Sequence, residues 1–166
     1  MSLRRHAPQL SVVVVVHDME REAPRTLHSL STEYQRHIDD YEVIVVDNGS
    51  TPPLSRGVTD SLAGNFRVIR IHDAAPSPAV AVNRGIAAAR GDVIGVMVDG
   101  ARIATPGLLH FGLAGARLHP RAVVATLGWY LGFDLQSWAA KAGYDAARED
   151  ALLESVAWPS DGYRLF

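Results

Sequence analysis

The chain of 166 residues contains no cysteine, which excludes disulfide frameworks, thiolate zinc sites and cysteine nucleophiles together. A surplus of either charge is missing as well, since 16 Lys and Arg stand against 18 Asp and Glu for a net charge of -2. No broad electrostatic footprint for a polyanion results, so nucleic acid is not an expected partner. Long apolar runs are also lacking. The run Val12 to Val16 follows Arg4 and Arg5 in the manner of a secretory leader, but His17, Asp18, Glu20, Arg21 and Glu22 end it abruptly. It falls far below the ~18 residues of a spanning helix, and no small-residue cleavage site follows. The expectation is a cytoplasmic protein without a transmembrane segment. A chain of this length ordinarily builds one hydrophobic core, so a single domain over residues 1–166 is expected.

Several nucleotide and hydrolase motifs are absent too. The turn after the first apolar run, His17-Asp18-Met19-Glu20-Arg21-Glu22, holds no glycine and three carboxylates, which rules out the backbone approach to a pyrophosphate that NAD binding requires. No Gly-Lys-Ser or Gly-Lys-Thr exists, so a P-loop is excluded. There is no Gly-x-Ser-x-Gly and no His-Glu-x-x-His, and the 7 histidines lack ligand spacing.

What is present is an alternation of short β-branched runs with helical patterns, the mark of βα units on a mostly parallel sheet. Strands are predicted at Leu10 to Val16, Tyr41 to Val46, Phe66 to Ile71, Asp92 to Val98 and Ala122 to Leu127. A first helix follows Pro24, with Leu27, Leu30 and Tyr34 on its buried face. A second opens at Ser77-Pro78, buries Val82, Ile86 and Ala89, and meets a left-handed cap at Gly91. Thr105-Pro106 start a third, and residues 145–156 form a fourth.

Ligands of open α/β sheets bind beyond the carboxyl ends of the strands. Asp18, Asp47 and Asp99 each follow a predicted strand there. One such carboxylate is ordinarily a turn cap. Three at one edge point to a site, because a carboxylate accepts hydrogen bonds from ribose hydroxyls or base N–H groups and ligates hard cations.

Ser11-Val12-Val13-Val14-Val15-Val16-His17-Asp18, followed by Pro24-Arg25-Thr26-Leu27-His28-Ser29-Leu30, resembles the opening of family 2 glycosyltransferases. Val43-Ile44-Val45-Val46-Asp47-Asn48-Gly49-Ser50-Thr51 is similar to the second-strand motif of that family. Asn83-Arg84-Gly85-Ile86 and Ala89-Arg90-Gly91-Asp92-Val93-Ile94 resemble the segments leading into its metal motif. The resemblance implies a Rossmann-like GT-A fold, α/β, with helices on both faces of a mostly parallel sheet. It further implies that Asp18, Asp47, Asn83 and Asp99 bind a nucleoside diphosphate sugar, with the sugar passing to an unknown acceptor. Asp18 stands where Asn is commoner, and Val82 replaces a basic residue that often precedes the Asn.

The pattern breaks at Val98-Asp99-Gly100-Ala101-Arg102, where the family carries an Asp-x-Asp cluster for Mg or Mn. Only Asp99 survives as a metal ligand, a weakened site for an ion that demands close octahedral oxygens. Two readings of Arg102 stand. Its guanidinium could take over charge neutralisation on the diphosphate, or it is a surface residue beside a degenerate motif. Asp150, in the pair Glu149-Asp150, resembles the family's catalytic base, but it follows Asp99 more closely than an acceptor half needs. A solvated helix face is the competing reading, with the base then beyond Phe166 or missing. Aromatics at Trp129, Tyr130, Phe133 and Trp138 offer either a sugar platform or packing. The sequence thus supports a sugar-transferring enzyme part or, alternatively, a non-catalytic nucleotide-sugar-binding module.

Overall fold

A computed structural model describes residues 7–129, 131–132 and 136–165. Arg4, Arg5, Tyr130, Phe133 and Phe166 therefore lie outside the described residues. After Val123 the chain divides into two compact units.

The first unit is built on strands β1 (Leu10–Val16), β2 (Tyr41–Asn48), β3 (Phe66–Ile71) and β4 (Val93–Met97). They form one four-stranded parallel sheet in the order β3-β2-β1-β4. β1 and β2 lie in the middle, which is why they read as continuous apolar runs: every residue of both is buried. Alternation along these strands then divides the core. Leu10, Val12, Val14 and Val16 pack with Tyr41, Val43 and Val45 against Ala23, Leu27, Leu30, Ala104 and Leu109. Val13, Val15, Ile44 and Val46 face the other way, onto Ala81. Helix α1 (Ala23–Ser29) and helix α4 (Leu108–Ala116) supply the first layer, and helix α3 (Ala79–Ala88) supplies the second. The expected α/β sheet with helices on both faces is present.

Three local expectations are corrected. Helix α3 buries Ala81 and Gly85 and packs Val82 and Ala89 partly against the same core, while Ile86 stays 39% exposed. The reason is close packing, because a Cβ on Gly85 would strike the Val13 side chain. Small residues, rather than the larger apolar ones, let this helix settle on β1. Gly91 forms no helix cap; the helix ends at Ala89 in extended conformation, and a Cβ on Gly91 would lie 2.7 Å from the Ser11 nitrogen. The fifth strand does not form. Residues 122–127 carry no regular structure, and Val123 and Leu127 are exposed, since β-branched residues make a strand only where a ladder partner exists. A short helix α2 (Arg56–Asp60), capped by Ser55, was not foreseen.

At the amino edge of the sheet a buried carboxylate ties the strands together. Glu42 accepts from Ser11 Oγ at 2.8 Å and the Arg90 backbone N–H at 2.9 Å through Oε1. Its Oε2 takes Arg90 Nη2 at 2.6 Å and Arg67 Nε at 3.1 Å. Burial alone would raise its pKa, but the Arg90 and Ser11 hydrogen bonds and the Arg67 charge outweigh it and hold the group at about 2.

The second unit holds helix α5 (Gln136–Lys141), helix α6 (Ala146–Ser155) and a 3-10 turn at Gly162–Leu165. Asp145 caps α6 by accepting the Arg148 N–H at 2.9 Å, and the helix falls within the expected residues 145–156. Among the described residues no helix is long and apolar enough to cross a membrane.

Candidate functional site

The carboxyl ends of β1, β2 and β4 are adjacent because β1 lies between the other two. Each ends in one of the polar segments singled out from the sequence. Asp18 follows β1 with φ of +50°, a left-handed conformation that Asp and Asn tolerate better than other side chains. That requirement gives a physical reason why Asp serves where Asn is commoner. Two bonds fix it to the segment after β2: the Asp18 N–H donates to Ser50 Oγ at 3.1 Å, and Asp18 Oδ1 accepts from the Thr51 N–H at 2.7 Å. His17 donates from Nδ1 to the Asn48 carbonyl at 2.8 Å, and its Nε2 lies 3.6 Å from Asp18 Oδ2.

Asp47 sits differently from Asp18. Its side chain is 2% exposed, and the protein itself fills its acceptor positions. Oδ1 receives the Ser50 N–H at 2.9 Å, while Oδ2 receives the Leu54 N–H at 3.1 Å and Arg70 Nη1 at 2.6 Å. Burial pushes its pKa up, but the hydrogen bonds from Ser50 and Leu54 and the Arg70 charge prevail, so the net shift is downward. The carboxylate organises the loop 48–54 from inside. Gly49 makes the turn possible: its φ is +77°, and a Cβ there would lie 2.6 Å from the Ala74 Cβ.

Two residues passed over in the sequence belong to this edge. Arg70 is the cross-strand partner of Asp47 in the β2–β3 register, and it also donates from Nη2 to the Ser50 carbonyl at 3.0 Å. Aligning the predicted strand ends, Val46 with Ile71, would have set Asp47 opposite His72, so the pair emerges only in the observed register. Asn48 is the other. It is 6% exposed, its amide nitrogen reaches the Ala75 carbonyl only at 3.5 Å, and its Oδ1 has no partner. A buried amide oxygen left unsatisfied costs about 1–3 kcal/mol, so an orphan of this kind at a strand end marks a place where a donor is wanted. Nothing in sequence alone distinguishes it from a solvated turn residue.

Across β1, Asp99 and Arg102 form the third segment. Gly100 packs tightly, since a Cβ on it would lie 2.5 Å from Val16 Cγ1. Thr26 Oγ1 donates to the Gly100 carbonyl at 2.5 Å and accepts the Arg102 N–H at 3.0 Å, so α1 holds this loop against β1. Asp99 Oδ2 is 3.4 Å from Arg102 Nε, with the side chains 42% and 56% exposed. Any cation approaching Asp99 therefore meets a guanidinium already beside it. Among the described residues no group of three or more His, Asp or Glu is placed to hold a metal ion. The residues present do not by themselves fit a protein-held Mg or Mn.

Asn83 lies on the exposed side of α3, and neither of the bonds that join the ends of β1 and β2 reaches it. Asp150 is exposed on α6 in the second unit.

The profile of glycosyl transferase family 2 matches residues 11–100, the segment that carries all three strand ends. Comparison with curated proteins finds no match. Among solved structures, S. aureus TarS 1–349 superposes with a TM-score of 0.58 at 21% identity, covering 68% of this chain and 33% of that one. The same protein in complex with UDP-GlcNAc gives 0.56 at 21% identity, over 68% and 32%. This chain thus spans about a third of the length of those structures, and at that identity the likeness is one of fold. Its four-stranded parallel sheet with helices on both faces is the GT-A arrangement of these glycosyltransferases. With more than half of its residues inside the family profile, the chain belongs to glycosyl transferase family 2.

Proposed function

We propose that this chain is the donor-binding part of a transferase that takes a sugar from a nucleoside diphosphate and passes it to an acceptor. The observation that carries the reading is the bonding of Asp18 to the loop 48–51, with the Asp99–Arg102 segment held by α1 at the end of the neighbouring strand β4, in a family 2 chain. Asn48 is the group proposed to meet the base, because its orphaned Oδ1 accepts and its weakly held amide nitrogen donates. Asp18, exposed beside the same loop, is proposed to meet the ribose, and Arg102 to supply a fixed charge to the diphosphate. Asp47 contributes indirectly, by holding the loop. UDP-GlcNAc bound to TarS supports a nucleotide sugar as the ligand class.

Within one GT-A-like domain over residues 1–166, Asn83 is proposed to lie toward the diphosphate or sugar, and Asp150 to be the base that takes the acceptor proton. A cytoplasmic setting is part of the same reading. A metal bound largely through the diphosphate would use Asp99, but no step is derived through it. The pairing of Asp99 with Arg102 favours a second reading, a nucleotide-sugar-binding module without turnover. Calorimetric titration with UDP and GDP, followed by donor turnover with and without EDTA, tests both. Binding with turnover supports the enzyme, and binding without turnover supports the module. No binding in either condition contradicts the donor site.

A further inference from the structure

Asp18 holds a left-handed conformation at φ +50° while keeping its side chain exposed at the site edge. A non-glycine residue in that region is disfavoured and persists where its surroundings impose it. Here the imposing structure is the loop after β2, through Ser50 Oγ on the Asp18 N–H and the Thr51 N–H on Asp18 Oδ1. That loop is in turn closed on Asp47, which receives the N–H groups of Ser50 and Leu54. Arg70 reaches both ends of the closure from β3: one guanidinium nitrogen bonds Asp47 Oδ2 at 2.6 Å and the other bonds the Ser50 carbonyl at 3.0 Å. The fork geometry of arginine suits two such acceptors, which a lysine ammonium cannot match at once.

We infer that Arg70 is a positioning residue for the donor site: by clamping Asp47 and the Ser50 carbonyl it fixes loop 48–54, and through that loop it sets Asp18 and Asn48. The route runs from β3 through the end of β2 to the end of β1, so a side chain in the outer strand controls a residue two strands away. Its side chain is 28% exposed, which leaves it partly hydrated and replaceable without opening the core around Val13 and Ile44. The functional half of the inference rests on the donor-site reading given above; the mechanical half stands on the geometry alone.

The test separates the two. Amide hydrogen exchange and calorimetric titration with UDP and GDP are measured on the wild type, Arg70→Met and Arg70→Lys. In Arg70→Met the amides of Ser50, Thr51 and Leu54 are expected to exchange at least about tenfold faster, while those of Val13 and Ile44 keep their rates. Affinity for whichever nucleotide the wild type binds is expected to fall at least about fivefold in Arg70→Met, with Arg70→Lys intermediate because it restores one contact of the two. Unchanged loop exchange overturns the clamp, as does equal acceleration at Val13 and Ile44, which would make Arg70 an ordinary contributor to global stability. A loosened loop with undiminished affinity overturns its role in positioning. A wild type that binds neither nucleotide defeats the donor-site reading instead, while the exchange data still decide whether Arg70 holds the loop.

Discussion

Glu42 allows the most closely worked prediction. Its side chain has no solvent exposure, and five donors converge on it: Ser11 Oγ, the Arg90 N–H, two Arg90 guanidinium nitrogens and Arg67 Nε. The folded pKa of about 2 lies below the ordinary value of 4.5. Each pKa unit corresponds to about 1.4 kcal/mol, so ionisation of this group contributes roughly 3 kcal/mol to stability. Because the folded pKa is depressed, that contribution is complete above 4.5 and is lost as the pH falls from 4.5 towards about 2. Glu42→Gln removes the charge while keeping the shape, and it turns one acceptor into a donor facing other donors. Both arginines retain partial access to water, with 34% and 42% of their side chains exposed, so the damage stays nearer 3 than 5 kcal/mol. Urea unfolding at pH 7 is expected to show that difference, equivalent to a fall in Tm of about 10 °C. In a pH series the wild type is expected to converge on Glu42→Gln between 4.5 and about 2. A variant as stable as the wild type at pH 7, or a gap that does not narrow on acidification, refutes the reasoning.

Gly85→Ala forces a Cβ into the Val13 side chain and is expected to destabilise by about 1–3 kcal/mol, read by the same unfolding assay. Asn48→Ala removes an orphaned acceptor and is expected to leave stability within about 0.5 kcal/mol of wild type while weakening UDP or GDP about three- to tenfold in calorimetry. Arg102→Ala is expected to abolish diphosphate binding measured in EDTA, whereas binding that requires Mn and tolerates the substitution would assign charge neutralisation to a metal at Asp99.

Two strands were the most legible part of the chain. Leu10–Val16 and Phe66–Ile71 form with the limits that their composition predicts, because β-branched runs bounded by polar turns have few other places to go. Ala122 to Leu127 carries a similar composition and makes no strand, since pairing is a property of neighbours and not of the run itself. On helix α3, Val82 and Ala89 pack as their periodicity predicts but Ile86 does not: periodicity weighs Ile86 above Gly85, whereas close approach to Val13 selects the glycine. At the site edge, the order of Asp18, Asp47 and Asp99 after their strands could be read directly. Which of them faces outward could not. Asp47 turns inward because Arg70 and two loop N–H groups are placed around it by register and by a glycine turn, and neither is visible until the strands are paired. Asn48 escaped notice because an unsatisfied atom is a fact of packing, with no counterpart in residue type.

The central claim is that the carboxyl edge formed by β1, β2 and β4 binds a nucleoside diphosphate. The most direct measurement is a titration of isotope-labelled protein with UDP and GDP, followed by amide chemical shifts. The account predicts saturable shifts concentrated at His17 and Asp18, at residues 48–51 and at residues 99–102, with little change around Glu42, Arg67 and Arg90 at the opposite edge of the sheet. Saturable shifts centred on that opposite edge or on residues 124–166, or no saturation with either nucleotide, would contradict it.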